Sequence, residues 1–171
     1  MKKKIFSKLF ICVILFYFFN IYAYGQSMRY QSPKYNYTIE IPSAFVKTNP
    51  IGVHIDLKFA HKDGSLIYLN ISDRVPEEYK ITAHNYTKEF LQNSLNQTYH
   101  ETIITKFKKI LIGNNKAVIY YYTDFTVPLK YIIITFFKGK YCYMITGSGT
   151  SDNFDKHEHQ FLKSLESIVF N

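Results

Sequence analysis

Residues 116–147, KAVIYYYTDFTVPLKYIIITFFKGKYCYMITG, constrain the fold more than any other stretch of the chain. They read as three consecutive strands rich in β-branched and aromatic residues, separated by turn chemistry at Thr126-Val127-Pro128 and Lys138-Gly139-Lys140. Links this short join antiparallel neighbours. Neither face of the three strands is polar. Ala117, Ile119 and Tyr121 point one way and Val118, Tyr120 and Tyr122 the other; Ile132, Ile134 and Phe136 oppose Tyr131, Ile133 and Phe137; Tyr141, Tyr143 and Ile145 oppose Cys142 and Met144. An antiparallel sheet with one wet face alternates apolar and polar residues. This one does not, so both faces must be covered. The expected class is α+β: a three-layer sandwich with a central antiparallel sheet of about six or seven strands and helices on both faces.

The N-terminus reads as an export leader over residues 1–25. Lys2, Lys3, Lys4 and Lys8 precede an unbroken apolar run from Leu9 to Phe19, and Ala23-Tyr24-Gly25 supplies small residues before Gln26. The run is short for a membrane span, which needs about 20 apolar residues. A retained anchor is the alternative. About half of the formal net charge of +8 lies in this leader. Residues 26–171 are enough for one domain with a real core, and they show no repeat and no linker. Of the two cysteines only Cys142 lies beyond the leader, in mid-strand. It reads as a buried small hydrophobe, and the disulfide-stapled class is excluded.

Residues 28–34 read as a lead-in and residues 36–41 as a one-sided strand stopped by Pro42. Val53, Ile55, Leu57 and Phe59 alternate with His54, Asp56 and Lys58, the pattern of a half-buried strand. His61-Lys62-Asp63-Gly64-Ser65 is a hairpin loop leading to a partner strand over 66–71. Residues 72–80 read as an exposed charged loop. Thr82 is the expected N-cap of a helix to Gln97 with Tyr86, Phe90, Leu91 and Leu95 as its apolar stripe. A long strand over 102–112 then turns at Gly113-Asn114-Asn115 into the meander. Gly147-Ser148-Gly149 is expected to end the sheet. Ser151 or Asp152 caps a last helix to about Val169, with Phe154, Phe161, Leu162, Leu165 and Ile168 on its buried face.

This order, on Tyr35–Phe45 (YNYTIEIPSAF), Gly113–Tyr122 (GNNKAVIYYY), Gly139–Thr146 (GKYCYMIT) and the helical pattern of Phe154–Phe170, resembles the PsbP-like superfamily. That group holds the photosystem II extrinsic subunit PsbP, a Ran-binding nuclear transport factor and bacterial DcrB-type proteins. The resemblance implies a sheet with helices on both faces and a largely non-enzymatic role in binding other proteins. It carries over no catalytic residue.

The residues themselves offer little chemistry. His157 and His159 lie two apart on a helix and diverge, whereas a helical zinc motif spaces its histidines four apart. His157-Glu158-His159 therefore reads as helix surface, and His54 with Asp56 as the wet side of a strand. Gly147-Ser148-Gly149 lacks the Gly-x-Ser-x-Gly pattern of a hydrolase elbow. Glu77 and Glu78 are adjacent in a loop and read as solvated. Lys106-Phe107-Lys108-Lys109, with Lys116 across the turn, reads as a solvated strand face; an anionic partner is the alternative, and export argues against nucleic acid. The 16 tyrosines read as core packing rather than a peptide or glycan groove. The sequons at Asn36, Asn70, Asn85 and Asn96 matter only in a eukaryotic secretory route.

The expectation is thus an exported, periplasmic or extracellular, non-catalytic protein. It binds another extracytoplasmic protein as an accessory, chaperone-like or toxin-neutralising factor. It has no catalytic, cofactor or metal residues, no nucleic-acid partner, and membrane contact only through the leader. A small-ligand or glycan carrier and a small hydrolase with a loop-assembled site are the alternatives. N-terminal sequencing of exported protein should begin at or near Gln26; a start elsewhere removes the cleavage assignment.

Overall fold

The computed structural model describes residues 26–76, 80–99 and 101–171. The expected leader and the pair Glu77 and Glu78 lie outside the described residues. The strands are β1 (Ser27–Gln31), β2 (Tyr37–Pro42), β3 (Val46–Lys47), β4 (Ile55–Ala60), β5 (Leu66–Asp73), β6 (Thr102–Ile112), β7 (Asn115–Asp124), β8 (Leu129–Lys138), β9 (Tyr141–Thr150) and β10 (Val169–Phe170). Among the described residues two α-helices, α1 (Lys88–Thr98) and α2 (Ser151–Glu166), accompany them, with a 3-10 turn at Ala83–Asn85.

Seven strands form one antiparallel sheet in the order β3-β4-β5-β9-β8-β7-β6, with the apolar meander next to one edge. Both of its faces are covered. Ala117, Ile119, Ile132, Ile134, Phe136, Tyr143 and Ile145 pack on one side with Phe154, Phe161 and Leu165 of α2. Val118, Tyr120, Tyr122 and Ile133 pack on the other with Ala83 of the 3-10 turn and Leu91 of α1. The second cover lies over β6, β7 and β8. The outer positions of β5, Leu66, Tyr68, Asn70 and Ser72, are only half-buried.

The α2 face carries a second cover that the sequence reading did not contain. Residues 28–34 are not a mere lead-in: β1 pairs with β2, and β2 pairs with β10 after the last helix. This three-stranded sheet buries Tyr37, Ile39 and Ile41 in the main core. The Tyr37 hydroxyl donates to Asp56 Oδ2 at 2.5 Å. Asp56 is the extra residue of a bulge between Ile55 and Leu57, and a bulge re-aims a side chain that regular alternation would turn elsewhere. Burial, and then the nearby Asp56 carboxylate, push the Tyr37 hydroxyl far above its usual pKa.

Several boundaries move. The first helix does not start after Thr82. Thr82 and Asn85 close a capping box on the 3-10 turn, and α1 begins after Thr87, whose hydroxyl oxygen accepts from the Phe90 N–H. Phe90 is consequently half-exposed rather than part of a continuous stripe. The half-buried strand starts at Ile55, and Val53 stands in solvent. The exposed loop expected over 72–80 begins inside β5, and Arg74 is buried. Its guanidinium donates to the Ile81 and Gly139 carbonyls at 2.8 and 3.3 Å and lies 4.1 Å from the Phe137 ring centre. The last helix stops at Glu166, three residues before Val169 enters β10.

Gly147-Ser148-Gly149 does not end the sheet either. It lies within β9, and Ser148 is buried between Leu66 and Tyr131 of the neighbouring strands. The glycines are there because α2 crosses this strand closely. A Cβ on Gly147 would stand 2.6 Å from Phe161 Cγ, and one on Gly149 would stand 2.9 Å from Ser65 Oγ and 3.3 Å from the Phe154 nitrogen.

Gly147→Ala should therefore cost about 1–3 kcal/mol, the usual penalty of overpacking a filled core, read by urea unfolding. Phe161→Ala should cost less in that background than in the unmodified chain. Strict additivity of the two would show that the ring does not rest on Gly147.

Candidate functional site

Among the described residues, the densest cluster of chemically capable side chains forms where the β4–β5 hairpin meets α2. The hairpin loop His61–Ser65 turns tightly, with the His61 N–H donating to the Ser65 carbonyl at 2.8 Å and Gly64 at φ +87°. That backbone conformation favours glycine. The loop presents His61 and Asp63 two residues apart. On α2, His157 lies three residues after Phe154 and four before Phe161, so the buried stripe carries it inward. It is 4% exposed.

The hairpin and helix meet through one carboxylate. Asp63 Oδ1 lies 2.8 Å from His61 Nδ1, and Asp63 Oδ2 lies 2.9 Å from His157 Nε2. His157 Nδ1 lies 2.9 Å from Gln160 Oε1. The Ser65 N–H donates to Asp63 Oδ1 at 3.0 Å, and Asn153 Nδ2 donates to the Asp63 carbonyl at 3.1 Å. The Phe45 ring closes one side, 5.3 and 5.6 Å from the centres of His61 and His157, and the two imidazoles stand 4.6 Å apart. Burial works to raise the Asp63 carboxyl. The Ser65 backbone N–H and the two histidines outweigh it and hold the group well below the usual carboxylate range.

This cluster corrects the sequence reading of the histidines. His157 is not helix surface. His159 is exposed on the opposite side, as divergence two apart requires. The signal that could have found the site is the position of His157 on an apolar stripe. A buried imidazole needs a hydrogen-bonding partner, and an Asp in a short hairpin is one of the few side chains able to reach it. The remaining sequence candidates are not brought together. His54 is exposed, while its neighbour Asp56 engages Tyr37. Cys142 is half-buried on β9.

The lysine run lies on edge strand β6. Lys106 reaches Glu158 at 3.3 Å, with both side chains substantially exposed. Such a pair contributes at most about 1 kcal/mol. Lysines and a bulge, here between Ile104 and Lys106, are common protections of an exposed edge against further strand pairing. Among the described tyrosines, Tyr37, Tyr120, Tyr122 and Tyr143 are buried in the core, several more pack at its margin, and Tyr99 is exposed. Tyr122 and Tyr131 stack at 4.4 Å, and burial pushes the Tyr131 hydroxyl up to about 12.

Because folding lowers the Asp63 pKa, its contribution is complete above the ordinary carboxylate value near 4 and is lost as pH falls through the lower folded value. Thermal unfolding should show Asp63→Asn less stable than the parent at pH 7. The gap in Tm should narrow as the pH is taken well below 4. A gap that stays constant with pH would contradict an ionised Asp63 as the group that joins hairpin to helix.

No protein-family model and no curated protein sequence matches the chain. Solved structures do. Cyanobacterial PsbP (CyanoP) of Synechocystis superposes with a TM-score of 0.65 at 14% identity, over 85% of this chain and 92% of that one. The Ran-binding protein Mog1p of Saccharomyces cerevisiae gives 0.56 at 6% identity, over 85% and 95%. LpqN of Mycobacterium tuberculosis, described as involved in cell envelope biogenesis, gives 0.58 at 8% identity, over 85% and 91%. At these identities the likeness concerns backbone architecture. The chain has the PsbP-like fold.

Proposed function

We propose that the protein is a non-catalytic accessory factor that acts outside the cytoplasm by binding another protein. The observation that carries this reading is the β3–β4 connection. It holds Ile51 and Val53, 82% and 95% exposed, on either side of Gly52, and Val46 before it is exposed as well. Apolar side chains grouped on one loop gain free energy when a partner removes them from water, and loops on a rigid frame are where binding residues concentrate.

Two further features support the reading. Groups from which a hydrolytic site would be built are engaged in packing: Ser148 lies inside the sheet, and Asp56 holds the Tyr37 hydroxyl. Among solved structures of the same fold one is a Ran-binding protein and another is involved in cell envelope biogenesis. Together with the basic and apolar pattern of residues 2–19, the second favours an extracytoplasmic site of action. The partner reading includes chaperoning of an exported client and neutralisation of a toxin.

Cross-linking and affinity capture from envelope fractions should recover one protein repeatedly with the parent chain. Ile51→Ser with Val53→Ser should abolish that recovery without changing Tm, since neither side chain is packed. Failure to recover any protein would count against the reading. So would turnover of a substrate that disappears with a single His or carboxylate substitution.

A further inference from the structure

The His61, Asp63 and His157 cluster places three acceptors where protons are short. Gln160 Oε1 is a carbonyl oxygen and can only accept, so His157 Nδ1, 2.9 Å away, carries a hydrogen. In the neutral ring Nε2 then has only its lone pair, and Nε2 faces Asp63 Oδ2 at 2.9 Å. On the hairpin, the Asp63 backbone N–H donates to His61 Nδ1 at 3.4 Å, so that lone pair is also in use as an acceptor, 2.8 Å from Asp63 Oδ1. Two lone pairs therefore converge on a carboxylate that has none but lone pairs itself. Positive charge between them resolves the conflict. One divalent cation does so without protonating two largely buried rings.

We propose that His61 Nδ1, the Asp63 carboxylate and His157 Nε2 bind a divalent transition-metal ion of the zinc class. One ligand atom from each of the three lies within 4.8 Å of the others. In a tetrahedral zinc shell with bonds of about 2.0–2.2 Å the ligand atoms stand roughly 3.3 Å apart. The present spacings of 2.8 and 2.9 Å, each to a different Asp63 oxygen, would open by a few tenths of an ångström, and the remaining ligand separations, within 4.8 Å, would close toward the same value. Two imidazoles and one carboxylate suit zinc and its neighbours. Calcium and magnesium prefer an all-oxygen set.

The surroundings are those of an oriented ligand set. Gln160 fixes the His157 tautomer from behind, and Ser65 and Asn153 hold Asp63. Phe45 dries one side, while Asp63, 18% exposed, leaves an approach for the ion and for water as a fourth ligand. The bound ion would tie the β4–β5 hairpin to α2, so binding would stabilise the fold by mass action. This inference is independent of the partner reading above.

The test uses the full chain stripped of metal by chelator and then titrated with Zn2+ by calorimetry, thermal unfolding and elemental analysis. One Zn2+ per chain, a raised Tm and, with Co2+, the visible absorption of a four-coordinate site are expected. Ca2+ should not shift Tm. Gln160→Ala should weaken Zn2+ affinity by about 10-fold or more, and His61→Ala should abolish stoichiometric binding. Far-UV circular dichroism should show both variants folded. His54→Ala with His159→Ala, away from the cluster, should bind like the parent. Substoichiometric metal, an unmoved Tm, or full retention of Zn2+ by His61→Ala would overturn the proposal. The trio would then be a hydrogen-bonded clamp with the Gln160 amide reversed and its NH2 facing His157.

Discussion

The structure depends on keeping β7, β8 and β9 dry on both faces. Isoleucine, phenylalanine and tyrosine project from either side of these strands, and each fully buried large side chain contributes about 1.5–3 kcal/mol relative to exposure. No arrangement with one wet face retains that. The remaining elements follow as covers: α1 and the 3-10 turn on one face, α2 and the three-stranded sheet on the other. Magnitudes show what holds the covers in place. The ion pairs linking α2 to the sheet, Lys106 with Glu158 and Lys130 with Asp155, each have a side chain more than half exposed and add little. Phe154, Phe161 and Leu165 lie buried beneath the same helix.

Close approach of α2 has a backbone cause and a chemical consequence. Gly147 and Gly149 remove two Cβ atoms from β9 just where Phe161, Phe154 and Ser65 need the space. With the helix lowered onto the sheet, His157 comes down beside the β4–β5 hairpin and within reach of Asp63. Packing that completes the core thereby assembles a polar cluster at its rim. The same physics makes the cluster costly to leave half-satisfied, because a buried imidazole and a half-buried carboxylate are each expensive without a partner. The frame is shared with CyanoP, Mog1p and LpqN, whereas the hairpin–helix cluster is formed by this chain's own His61, Asp63 and His157.

The two-faced apolar pattern of Val118–Tyr122 and Ile132–Phe136, the hairpin loop His61–Ser65, the strand over 102–112 and the buried face of α2 were all legible from the chain, because each is a local periodicity or a local turn. Class, strand direction in the meander and the need for two covers came with them. What the chain did not disclose depends on contacts between distant segments. Gly147-Ser148-Gly149 has the composition of a turn and becomes strand because α2 presses on it. Residues 28–31 have no pattern of their own and become β1 because β2 offers an edge. Asp56 looks like a solvated alternate residue until a bulge turns it to Tyr37. His157 carries its polarity in sequence but not its partner, which lies 94 residues away. Sequence by itself determined which faces must be buried, since burial preference is a property of each side chain. Tertiary structure alone decided what meets across those faces, since that depends on how closely two backbones can approach.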